Sequence, residues 1–87
     1  MKNVKLENKY YELNAVQVFR EAVDFAQVEH EIKIGGEVYR TPLYAQAHGV
    51  LTAMSYLCPR TEYMAVWKEY HKFKEMLDNV NPLQVQD

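Results

Sequence analysis

Ile32-Lys33-Ile34-Gly35-Gly36-Glu37-Val38-Tyr39-Arg40, the stretch IKIGGEVYR, decides the fold class. Two short runs that alternate apolar and polar residues flank a Gly-Gly pair, and both glycines tolerate the positive φ that a two-residue hairpin turn needs. The stretch therefore predicts a β-hairpin. Nearer the N-terminus, VKLENKYYE repeats its pattern at an offset of 28: aliphatic-Lys-aliphatic, a turn pair, and tyrosine at the eighth place. Val4-Lys5-Leu6 and Tyr10-Tyr11-Glu12-Leu13 accordingly predict a second hairpin, turning at Asn8. Any tight hairpin favours this pattern, so the match arises readily without duplication.

Each predicted hairpin runs into a predicted helix. Asn14, with Gln17 three residues on, is a variant of the capping box, and the helix it opens is expected to reach Glu29. Its core face would hold Ala15, Val16, Val18, Phe19, Ala22, Val23, Phe25 and Ala26, with Gln17, Arg20, Glu21, Asp24 and Gln27 facing solvent.

The central helix follows the second hairpin. Thr41 to Pro59, TPLYAQAHGVLTAMSYLCP, contains no Asp, Glu, Lys or Arg, although a quarter of the chain is charged. Thr41 can cap the helix, Pro42 suits the first helical position, and Pro59 ends it. Leu43, Ala47, Val50, Leu51, Met54, Leu57 and Cys58 make a broad apolar face, while Ala45, Gly49, Thr52 and Ala53 leave the other side smooth, with Tyr56 among them. That smooth side predicts a second element against it, from this chain or a second copy. A membrane span would need about 20 strongly apolar residues, and this helix is shorter and carries Gln46, His48, Thr52 and Ser55.

A last helix is expected from Thr61, its cap, to Asp78, with an aromatic-rich stripe of Tyr63, Val66, Trp67, Tyr70, Phe73 and Leu77. Asn79 and Pro82 end it. The expected organisation is one compact α+β domain over residues 1–81, in the order ββ-α-ββ-α-α, with small antiparallel hairpins packed on three helices and a frayed tail at 82–87. The alternative is a three-helix bundle with one hairpin.

Composition bounds the rest. A chain of 87 residues can bury roughly 60 to 65% of its unfolded surface in a single core. A net charge of −2 gathers neither nucleic acid nor an acidic membrane by itself. One cysteine excludes an internal disulfide, and the opening MKNVKLENKYYELN lacks the apolar run of a secretory signal, so the expected compartment is the cytoplasm.

No catalytic constellation emerges, and no metal or cofactor is expected. His30, His48 and His71 form no i, i+4 pair with one another or with the cysteine, and His71 with Glu75 four residues on is too small a ligand set for a helical metal site. Cys58 sits before Pro59 at a helix C-terminus, the wrong end of the macrodipole for a thiolate. Gly35-Gly36 lacks the helix and lysine of a phosphate loop.

Two binding readings remain. The last two helices can be drawn as a helix-turn-helix whose nucleic-acid contacts would be Arg60, Lys68 and Lys72, a stripe diluted by Glu69 and Glu75. The favoured reading starts from seven tyrosines, more than a core of this size needs, each requiring its hydroxyl near water or a partner. Surface tyrosines and methionines such as Met64 and Met76 suit protein interfaces.

The opening, an aliphatic-Lys-aliphatic hairpin with a tyrosine running into a helix, is similar to starts common among small bacteriophage and mobile-element proteins. The likeness covers residues 1–20, and no functional residue carries over with it. It points towards accessory proteins that act by binding. The expected function is therefore a non-enzymatic protein-binding module, an inhibitor or adaptor of phage-like or bacterial origin. Tyr11, Tyr39, Tyr56 and Trp67 are its expected contacts, and a homodimer is a further candidate.

Overall fold

Gly35 takes φ +73°, as the hairpin reading requires, but it does so at the end of a helix. The Gly36 N–H donates to the Glu31 carbonyl at 2.8 Å and the Gly35 N–H to that of Ile32 at 3.2 Å, the paired bonds of a Schellman motif. One backbone property, tolerance of the left-handed region, serves hairpin turns and helix ends alike. Ile32 and Lys33 thus belong to the last turn of a helix, and the α+β expectation is wrong on this point.

The computed structural model describes the backbone of residues 3–87 and the side chains of residues 9–87. It is helical: α1 spans Asn3–Ala22, α2 Phe25–Lys33, α3 Arg40–Leu57 and α4 Arg60–Asp78, followed by a 3-10 turn at Pro82–Gln84. The described residues contain no sheet, and both predicted hairpins are overturned. The N-terminal one lies within α1, so the repeat and the likeness to phage protein starts lose the hairpin they rested on. The helical-bundle alternative fits, although its hairpin is absent too. No described helix is long and apolar enough to cross a membrane.

The predicted helix from Asn14 to Glu29 is broken in two. Asp24 adopts φ 53°, ψ 45°, the left-handed region, and turns the chain between α1 and α2. The reason is visible in what becomes buried. Phe19, Val23, Phe25 and Val28 all reach the core, which one straight helix cannot arrange because Phe25 would point well away from Phe19. Val18, Ala22 and Ala26, assigned to the core face from periodicity, are exposed instead.

α1 runs parallel to α4. Arg20 meets Glu69, Phe19 packs edge-on against Tyr70 with ring centroids 6.5 Å apart, and Phe25 lies 5.2 Å from Phe73. α3 runs antiparallel to α4, with Tyr44 near its start donating a hydrogen bond to Asp78 at the far end of α4. Along this seam Ala47, Leu51 and Met54 meet a core that includes Val66, Phe73 and Leu77.

Glu69 is only 7% exposed and is held by the Arg20 guanidinium at 2.6 Å. Arg20 also lies over the Phe25 ring, 3.9 Å from its centroid. Past α4 the chain returns to α3. The Val38 N–H donates to the Gln84 carbonyl and the Gln86 N–H to the Val38 carbonyl, each at 2.8 Å, an isolated parallel bridge. Asp87 then accepts from the Thr41 N–H at 3.1 Å and pairs with Arg40 at 3.5 Å. Asp87 thereby supplies the N-terminal acid that the first turn of α3 lacks, and no side chain at the cap position of α3 takes that role.

Removing one partner of a buried ion pair strands the other. Arg20→Ala is expected to lower unfolding free energy by about 2 kcal/mol, held below the usual 3–5 because Lys72 can draw in on Glu69 from 3.8 Å. Arg20→Met combined with Glu69→Leu should recover most of that loss in urea denaturation. Equal destabilisation of the single and the double variant would show that the charge pair is not what positions α1.

Candidate functional site

Four aromatic residues were expected at the surface, and Tyr11, Tyr39, Tyr56 and Trp67 are all exposed. They do not form one patch. Tyr11 on α1 shares an apolar groove with Val18, Met54, Leu57 and Cys58, at the end of α3 that carries Tyr56. Tyr39 lies in the segment between α2 and α3. Trp67 meets His71 edge-on along α4, the ring centroids 4.1 Å apart and the planes at 62°.

Tyr39 borders an apolar concavity. A pocket of about 430 Å³ lies between α2 and the start of α3, walled by Val28, Val38, Pro42 and Leu43. Gln27, Glu31, Glu37 and Tyr39 complete its lining. Val28 and Val38 are buried, so the floor is rigid core. The two carboxylates are engaged only by neutral donors among the described residues. Glu31 accepts from Gln27 at 3.0 Å, while Glu37 accepts from Gln86 at 2.8 Å and from the Tyr39 hydroxyl at 3.3 Å. Both rim charges therefore keep capacity for a cation from outside.

The local fold builds this pocket. The Schellman turn at Gly35 reverses the chain after α2, and the bridge from Val38 to Val85 pins the returning segment, leaving a gap in front of α3. Gln84 closes the back of the turn by donating to the Ile32 carbonyl at 3.0 Å. Of the lining residues only Tyr39 was singled out as a contact from sequence. A hairpin over 32–40 would not bring Gln27, Val28 and Glu31 together with Pro42 and Leu43, so the pocket had no signal in the sequence.

Arg60 and Lys68 line one groove on the outer side of α4, with Glu12 of α1 beside them. Lys72 lies one turn beyond Lys68 and is drawn towards Glu69. α3 and α4 form an αα-hairpin that stays in contact to its far end, where Tyr44 meets Asp78.

Among the described residues no three His, Cys, Asp or Glu side chains gather as a metal site would require. Cys58 is half-buried, and burial pushes its thiol above the ordinary value, with the Glu62 carboxylate adding to the effect. Tyr44 is pushed up to about 12, chiefly by desolvation and then by its hydrogen bond to Asp78 and the charge of that carboxylate.

The chain matches no family model, no curated protein and no solved structure.

Two titrations follow. Folded Tyr44 keeps its proton to about 12, whereas the unfolded chain releases it near 10.0, so stability falls as pH rises through that window. Tyr44→Phe should cost about 0.5 to 1 kcal/mol at neutral pH and flatten the alkaline part of the stability curve. An unchanged curve would place the alkaline loss elsewhere. For Cys58, alkylation by iodoacetamide at pH 8 is expected to run several-fold slower than for a free thiol. A rate equal to or above that of the free thiol would contradict the raised value.

Proposed function

We propose that this protein is a non-enzymatic protein-binding module, an inhibitor or adaptor, whose recognition site is the pocket between α2 and α3. The observation that carries the reading is an apolar floor beneath a rim of two carboxylates that have no cationic partner among the described residues. Such a pocket suits an apolar side chain of a partner protein with a Lys or Arg beside it in sequence. The apolar anchor would displace water from Val28, Val38 and Leu43, and the base would settle between Glu31 and Glu37. Tyr39, half exposed on the rim, supplies aromatic area at small entropic cost because it rotates about only two side-chain bonds.

Charge gives this site its specificity and its rate. The carboxylates steer a basic segment and repel an acidic one, while the apolar contact holds it once bound. The lining carries no histidine and no cysteine, and its two carboxylates serve in this reading as charge that selects a basic segment.

A tagged pull-down from the source cell, run with and without nuclease, identifies the partner, and three variants then test the site. Tyr39→Ala should weaken binding of that partner by about 2 kcal/mol. Glu31→Gln and Glu37→Gln should slow association and reduce its dependence on salt. Binding that is indifferent to all three variants would sink this choice of surface. Recovery that vanishes with nuclease would shift the assignment to nucleic acid contacted by Arg60, Lys68 and Lys72.

A further inference from the structure

Helix α3, which carries no Asp, Glu, Lys or Arg after Arg40, is covered on one side only. Its buried residues, Ala47, Leu51 and Met54, face the core, while Ala45, Gly49, Thr52, Ala53 and Tyr56 are exposed along the opposite side. A Cβ placed on Gly49 would meet no neighbouring atom within 4 Å, so among the described residues nothing packs against α3 at that point. The sequence predicted a second element there. α1 does not provide it, since α1 reaches α3 at one edge, where Gln46 donates to the Ala22 carbonyl at 2.8 Å.

The uncovered area continues across that edge. Tyr11 and Val18 of α1 face Met54 and Leu57 of α3 across an open apolar groove, with Glu62 at one end. Tyr56 is 85% exposed, Leu57 80%, Val18 55% and Tyr11 52%, which is a costly arrangement for a surface that stays wet. Area points the same way. The chain exposes 6238 Å², against about 5,350 Å² expected of a compact monomer of its mass. The surplus of roughly 900 Å² is close to the share that each partner contributes to a standard protein interface. The chain is elongated, its Cα atoms extending 52 × 23 × 16 Å.

We propose that this face is the interface of a symmetric homodimer, with α3 packed antiparallel on α3 of a second copy about a twofold axis at Gly49. The choice of a second copy over a foreign protein rests on charge and register. Across a twofold axis each residue near the axis meets itself or a close neighbour, so a charged face would set like charges together, and this face has none. An axis at Gly49 sets Ala45 against Ala53 of the second copy, lets the two backbones approach closely, and lays Tyr56 over Pro42 of the second copy. Small residues meet at the centre and the large ring covers the end. This interface meets the recognition pocket at Pro42, and variants at Ala45 and Ala53, which do not line that pocket, separate dimerisation from partner binding.

Sedimentation velocity across concentrations up to millimolar tests the proposal, with circular dichroism checking that each variant stays helical. Wild type should approach twice the 10.3 kDa chain mass. Ala53→Glu should be monomeric at concentrations where wild type is dimeric, and so should Ala45→Lys, because each repeats its own unpaired charge across the axis. The double variant Ala45→Lys with Ala53→Glu pairs opposite charges and should regain the dimer. Tyr39→Ala should leave the dimer untouched. A wild-type chain that stays monomeric throughout, or a dimer indifferent to both single variants, overturns the interface, and a double variant that stays monomeric overturns the antiparallel register.

Discussion

Glu69 lies on the buried stripe of α4 between Val66 and Phe73, and a carboxylate in that position must be matched. Arg20 is the match, and meeting it constrains more than one helix. It sets the register of α1 along α4, because a slide of one turn would strand the carboxylate. It also sets α2, because the same guanidinium lies over Phe25, the first residue of that helix. Phe25 in turn packs on Phe73, one turn beyond Glu69. A single ion pair, with the ring that stacks on it, ties three helices to one register. A wholly apolar seam would allow neighbouring registers at lower cost.

The second constraint is in the backbone. Among the described residues two occupy the left-handed region, Asp24 and Gly35, and they bracket α2. Asp24 turns the chain so that Phe25 and Val28 reach the core, and Gly35 turns it back towards α3. Between them α2 becomes a short crosspiece whose inner side fills the end of the bundle and whose outer side forms one wall of the pocket. The returning tail completes that end, with Val85 bridged to Val38 and Asp87 accepting from the first turn of α3.

The helices with long apolar periodicity were legible in the sequence. The bounds of α3 and α4 lie within about two residues of those read from Thr41, Pro59, Thr61 and Asp78, and Phe73, Val66 and Leu77 are buried as their spacing implied. The hairpins were not legible, for a physical reason. Runs of three or four residues such as Ile32-Lys33-Ile34 satisfy a period of two and a period of 3.6 equally well, and the glycines that follow suit either outcome. What settles the matter is non-local, namely burial of Val28 against the core and of Val38 against the tail. The buried role of Glu69 was missed because acids are assigned to solvent by default, yet it follows Val66 by three residues and precedes Phe73 by four, on the apolar stripe itself. Leu57 was assigned to the core from its angular position and is exposed, because no helix of the chain covers that side of the C-terminal end of α3.

The parallel pairing of α1 with α4 bears on the order in which the structure assembles. Parallel neighbours cannot be joined by a short turn, so Arg20 must find Glu69 across 49 residues, whereas α3 and α4 are separated only by Cys58 and Pro59. Loop-closure entropy therefore favours the α3–α4 hairpin as the first stable contact and puts the docking of α1 last. α1 is also synthesised before α4, so its apolar side waits without that partner until α4 has been made. During that interval Phe19 and Val23 are the residues most in need of shelter, and any chaperone engagement with the nascent chain would be directed at the segment around them.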